Sequence, residues 1–195
     1  MNDSLAQGAW TGHRYAILRP FWSLFGRTYR VYNEEGMLVA FVRHPLLRIL
    51  RPEYTIFADE EESQPLLTVR SRRVLALNME HDVSDARTGR HLASLRNRGL
   101  SFIIKDAWDI LDDKDQVAGE MVEEGHYLLR RMIKLIPGHH SIRLGSETAA
   151  HLEQRFRWFT KEFDLTIVGE PKIDPRFLVA ASILAIQSDV RREDS

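Results

Sequence analysis

The most constraining feature of the sequence is its last long apolar run, Phe177-Leu178-Val179-Ala180-Ala181-Ser182-Ile183-Leu184-Ala185-Ile186. Ile173-Asp174-Pro175-Arg176 leads into it, with Asp174 suited to cap a helix and Pro175 to occupy its first turn. No charge interrupts Phe177 to Ser188. A helix built from this run is apolar around its whole circumference and must be enclosed by protein or lipid. It falls short of the roughly 20 apolar residues that span a bilayer, so a transmembrane reading is weak. At roughly 1.5–3 kcal/mol for each large apolar side chain fully buried, the helix outweighs the net stability of a typical domain. Phe177, Leu178, Ala181, Ile183 and Leu184 are its predicted buried centre.

The enclosure is legible upstream as a series of hairpins. Tyr29–Tyr32 turns through Asn33-Glu34-Glu35-Gly36 into Met37–Val42, with Gly36 where a positive φ is needed. Tyr54–Phe57 passes through the acidic run 58–65 into Leu66–Val69, and His81–Ser84 through 85–90 into His91–Leu95. Ala107–Leu111 passes through 112–116 into Val117–Met121. A fifth hairpin is expected from Ser141–Leu144, a turn at 145–148 and a strand near Leu152 to Trp158. Alternating strands in series supply an inward apolar wall, so the helix is predicted to thread a closed barrel. Glu123 to Ile136 breaks the pattern, with Tyr127, Leu128, Met132, Ile133 and Leu135 at helical spacing before Pro137-Gly138, and a short amphipathic helix is expected there.

A chain of 195 residues and 22.7 kDa holds such a core in one domain, predicted over 13–189 between a tail at 1–12 and a polar tail at 190–195. Hydrophobic residues at 44% against 28% charged argue against disorder. The net charge of -1 provides no global pull toward nucleic acid, so anion binding must be local. The absence of cysteine excludes disulfides, thiolate metal sites and cysteine nucleophiles. No secretory signal is read at the start, so a cytoplasmic location is expected, with peripheral attachment to a membrane as its variant.

Tyr15-Ala16-Ile17-Leu18-Arg19, the hairpin Tyr29 to Gly36, the later strand-Asp-turn units and the terminal run Ile173 to Ile186, in that order, resemble the tubby-like superfamily, in the branch of LURP-one-related proteins and phospholipid scramblases. The resemblance spans nearly the whole chain. It implies a closed barrel of about twelve strands around a hydrophobic C-terminal helix. It also implies a non-enzymatic binding module. Tubby-like domains use a Lys-Leu-Arg strand segment for phosphoinositide head groups, and the matching stretch here is Thr68-Val69-Arg70, followed by Ser71-Arg72-Arg73. Arg70 matches and Thr68 does not; Arg72 and Arg73 supply further charge. The acidic calcium segment and cysteine cluster of scramblases are missing, since 161–172 alternates as a strand does.

Chemical motifs are sparse. Asp109, Asp112, Asp113 and Asp115 lack the spacing of a calcium loop and read as a solvated turn. His139-His140 follows Pro137-Gly138 on an expected loop without further ligands, so no metal is predicted. No hydrolase, phosphate-loop, dinucleotide or zinc-protease signature occurs, and neither an enzyme nor a cofactor is expected. Three basic clusters remain: Arg70, Arg72, Arg73; Arg96, Arg98; and Arg130, Arg131, Lys134. The aromatic run Phe21-Trp22-Ser23-Leu24-Phe25 plugs a barrel end or contacts lipid or a partner. The expected role is binding anionic phospholipid head groups at a membrane surface through Arg70, Arg72 and Arg73. The alternatives are a protein-interaction scaffold and a scramblase-like protein that moves lipid.

Overall fold

A computed structural model of the chain describes residues 8–20, 27–44, 53–72, 79–98, 107–124, 138–156 and 160–193. Twelve strands run in chain order: β1 (Arg14–Pro20), β2 (Arg27–Tyr32), β3 (Leu38–His44), β4 (Glu53–Phe57), β5 (Pro65–Ser71), β6 (Glu80–Asp85), β7 (His91–Asn97), β8 (Ala107–Leu111), β9 (Val117–Glu124), β10 (His139–Leu144), β11 (Glu147–Phe156) and β12 (Thr160–Ile167). Helix α1 (Pro175–Glu193) follows. Each strand pairs antiparallel with its chain neighbours, and β1 closes the barrel on β12 in a register from Arg14 opposite Thr166 to Pro20 opposite Thr160.

Side-chain chemistry sets the turns. Asn33 Oδ1 accepts the Met37 amide at 2.9 Å, and Gly36 takes a φ of +74° beside it. Asp112 accepts the Lys114 and Gln116 amides at 2.8 and 2.9 Å. The turn after β4 folds back over the outer wall. There Arg30 and Arg43 lie 5.6 and 5.5 Å from the Phe41 ring and pair with Glu60 and Glu62, which explains how an outward-facing Phe41 is fully buried.

All twelve strands contribute inward residues to one apolar cluster that also contains α1. Every residue from Phe177 to Gln187 is buried, so all sides of the helix meet the barrel wall. Asp174 caps the helix through the Arg176 amide at 3.0 Å. Ser182 is tolerated at full burial because its hydroxyl donates to the Leu178 carbonyl at 2.8 Å. The barrel with its enclosed helix is the predicted architecture, and Phe177, Leu178, Ala181, Ile183 and Leu184 are buried within it.

Three local expectations need correction. Glu123 and Glu124 belong to β9, where the ladder to His140 and His139 of β10 continues the strand, and 125–136 lies outside the described residues. The fifth hairpin turns within Gly145-Ser146, with Gly145 at a φ of +59°; β11 begins at Glu147, which pairs directly with Leu144. Trp158 lies outside the described residues. His139 and His140 stand on β10 and not on a loop.

Candidate functional site

The described strand connections, 33–37, 58–64, 86–90, 112–116 and 145–146, together with 168–174, lie at one end of the barrel, where α1 begins. We refer to this as the turn end. A groove of about 910 Å³ opens there beside the helix start, lined by Trp10, Arg87, Arg90, Lys172, Asp174 and Arg176 among others. Its floor is a clasp. Arg176 reaches Asp85 at 2.6 Å and Asp174 at 2.7 Å, tying the helix cap to the turn after β6. Burial pushes the Asp85 carboxyl up, but hydrogen bonds from Thr88 and Arg176 prevail and hold it at about 2. Lys172 pairs with Glu147 and Arg90 lies 3.6 Å from Asp174, so these groove cations have carboxylate neighbours of their own.

The opposite end differs. At the last described inward position of ten of the twelve strands there, the alternation brings Arg19, Tyr54, Ser71, His81, Asn97, Trp108, Glu123, His140, Gln154 and Lys161 to the inner wall, whereas on β3 that position is the apolar Val42. Each is polar or carries a polar tip, and together they form a collar above the apolar core. Ser71 Oγ lies 2.9 Å from His81 Nδ1, and the His81 ring is 6.0 Å from that of Trp108. Gln187 of α1 reaches this level, about 18 Å along the helix axis from Pro175. Among the described residues, Arg19 Nε, Trp108 Nε1 and Gln187 Nε2 are buried nitrogens without a hydrogen-bond partner. The sequence reading missed the collar, although its signal was present: a polar residue in phase with the core at the same end of strand after strand.

The described members of the predicted basic clusters, Arg70, Arg72, Arg96 and Arg98, stand on the outer wall. Arg70 is outward on β5, 71% exposed, and 4.0 Å from Glu53. Arg72 is committed to Glu80, Asp82 and Asp115 at 2.6, 2.7 and 2.8 Å along the outer wall. The Asp82 bond, then the Asp115 bond, raises its guanidinium pKa above the usual value. Arg96 bonds Asp109, and Arg98 bonds Asp109 and Glu120. Arg73, the cluster Arg130, Arg131, Lys134 and the aromatic run Phe21 to Phe25 lie outside the described residues. Asp112 and Asp115 are turn residues of the hairpin, and among the described residues no group of carboxylates and histidines is arranged to hold a metal.

Connectivity then separates charge in a way that the net value conceals. The turn-end connections carry Glu34, Glu35, Asp59, Glu60, Glu61, Glu62, Asp112, Asp113, Asp115, Glu170 and Asp174 against Arg87, Arg90, Lys114 and Lys172. Glu60, Glu62 and Asp115 turn back onto strand arginines, and the remainder still leaves the end acidic. The segments 21–26, 45–52, 73–78, 99–106, 125–137 and 157–159 lie outside the described residues, and the comparison with them is one of sequence alone. Those sequences carry Arg48, Arg51, Arg73, Lys105, Arg130, Arg131, Lys134 and Arg157 against Asp106 alone. They are also rich in Leu, Ile, Phe and Trp, as in Phe21-Trp22-Ser23-Leu24-Phe25 and Leu46-Leu47-Arg48-Ile49-Leu50. Met37, Val117 and Val168 are exposed singly at the turn end, the ordinary condition of scattered surface apolar residues. Among the described residues no helix is long and apolar enough to cross a membrane.

No family model matches the chain. No curated protein matches it either. Among solved structures, it is similar to the X-ray structure of the Arabidopsis thaliana protein AT5G01750, with a TM-score of 0.53 and 16% sequence identity over 94% of this chain and 95% of that one. At that identity the likeness establishes a shared fold, a closed antiparallel barrel around a C-terminal helix.

Proposed function

We infer that the protein is a non-enzymatic binding module that attaches to anionic phospholipid surfaces by the far end of its barrel. The observation that carries this reading is a contrast in sequence between the segments that join the strands: the described turns are acidic and polar, and the alternate segments are basic and apolar. Basic side chains interleaved with large apolar ones suit a membrane interface, where cations meet head groups and apolar groups enter the acyl boundary. The same apolar content favours lipid over nucleic acid, which is held chiefly by charge. Arg70 is an exposed, weakly paired head-group contact, with Arg73 as its neighbour in sequence; Arg72 serves the outer wall. The attachment is peripheral and the location cytoplasmic.

Flotation with vesicles of graded anionic content at two salt concentrations tests this. Capture that rises with anionic lipid, falls with salt, and weakens in Arg70→Ala/Arg73→Ala supports the reading. Absence of capture at any composition rejects it and favours a protein scaffold, to be sought by pull-down with and without residues 1–25.

A further inference from the structure

The groove at the turn end plays no part in the membrane-surface reading. Its volume of about 910 Å³ lies in the range of pockets that enclose small organic ligands. Part of its wall is apolar: Trp10, Leu66 and Ile173 are half-buried and packed against the barrel core, and Pro171 and Pro175 extend that surface. Trp10 is held by stacking on Tyr15, with ring centroids 5.4 Å apart and planes at 28°.

The polar part of the wall uses its acceptors and its donors unequally. Asp85 takes the Arg87 and Thr88 amides, the Thr88 hydroxyl and Arg176, while Asp174 takes the Arg176 amide and guanidinium. Both carboxylates are therefore engaged from within. Arg90 is not so engaged. Its side chain is 68% exposed, and its guanidinium stays 3.6 Å from Asp174, beyond hydrogen-bond distance. Lys172 is tied to Glu147 in an exposed pair, which a ligand exchanges at little cost. Unengaged donors beside an apolar wall complement a molecule that carries a carboxylate on an apolar body. Glu34, Glu35 and Glu170 at the same end set a negative background that disfavours a second charge on that molecule.

We propose that the turn-end groove binds a small organic monocarboxylate, its carboxylate held by Arg90 with Lys172 and its apolar body against Trp10, Leu66 and Ile173. The site goes beyond the membrane-surface reading and stands without it.

Isothermal titration calorimetry of the full chain with two probes, naphthoate and octanoate, tests the site. Each probe is measured beside its amide, with acetate and naphthyl phosphate as further comparisons. Wild type should bind at least one probe at a single site. The matching amide lacks the charge and acetate lacks the apolar body, so each should bind about tenfold more weakly or worse. Arg90→Gln should weaken the bound probe about tenfold and bind acid and amide alike, and Arg90→Lys should recover part of the loss. Arg90 stands outside the clasp of Arg176 with Asp85 and Asp174, so both variants should melt near the wild-type temperature. Failure of wild type to bind either probe overturns the site, and so does unchanged binding in Arg90→Gln. Tighter binding of naphthyl phosphate than of naphthoate overturns the assignment to a singly charged anion. Vesicle flotation of Arg90→Gln should match wild type, so that failure of the groove and failure of the membrane-surface reading are told apart.

Discussion

Replacing Asp85 with Asn tests how the helix is seated. Asp85 Oδ1 accepts the Arg87 and Thr88 amides at 3.1 and 2.9 Å, while Oδ2 takes Arg176 at 2.6 Å. Asn retains the acceptor that shapes the turn but sets an amide donor against the guanidinium. The Asp85 carboxyl sits at about 2 against an ordinary 3.8, and each unit corresponds to about 1.4 kcal/mol, so the Thr88 and Arg176 hydrogen bonds together contribute about 2 kcal/mol at neutral pH, of which the Arg176 clasp is a part. Because the folded value is the lower one, that contribution is complete above the unfolded value and disappears as pH falls through about 2. Urea unfolding of Asp85→Asn and wild type from pH 7 to pH 2 should give curves that differ by about 1–2 kcal/mol at the top and converge at the bottom. A constant difference across that range, or none at pH 7, would refute the reasoning.

Three further outcomes follow from the same geometry. A Cβ on Gly119 would lie 2.2 Å from the Arg143 carbonyl oxygen, so Gly119→Ala must part β9 from β10 and should lower stability by about 1–3 kcal/mol in denaturant melts. Ile183→Asp places a charge in a fully buried helix and should leave the protein insoluble; a soluble variant with a normal melting temperature would remove the helix from the core. Arg72→Ala should lower stability by about 1 kcal/mol, the scale of a partly exposed ion-pair network, while leaving vesicle capture near the wild-type level.

The architecture was legible because its two signals are local. An uncharged run behind Asp174-Pro175 forces an enclosed helix, and turns such as Asn33 to Gly36 declare hairpins within a few residues. The strand ends were less legible. Glu123 looked like a helix start because parity with Met121, which assigns it to the inner wall of β9, matters only once β10 pairs beside it. Arg72 looked like a ligand contact because its three carboxylates come from Glu80, Asp82 and the distant Asp115. The net charge of -1 argued against a long-range field, yet the segments that join successive strands alternate in sequence between acidic and basic composition. The collar needed register as well as sequence, since Arg19 and Lys161 are 142 positions apart and become neighbours only when β1 closes on β12.

The central claim is that the far end, and not the turn end, meets an anionic membrane. The chain contains no cysteine, so Glu153→Cys on β11 toward the far end and Met37→Cys on the turn after β2 each place one environment-sensitive dye at an exposed position. With anionic vesicles, the dye at 153 should shift to the blue and be quenched by lipid-borne quenchers, and the dye at 37 should not respond. A response at 37 with none at 153, while the protein floats with the vesicles, would contradict the account.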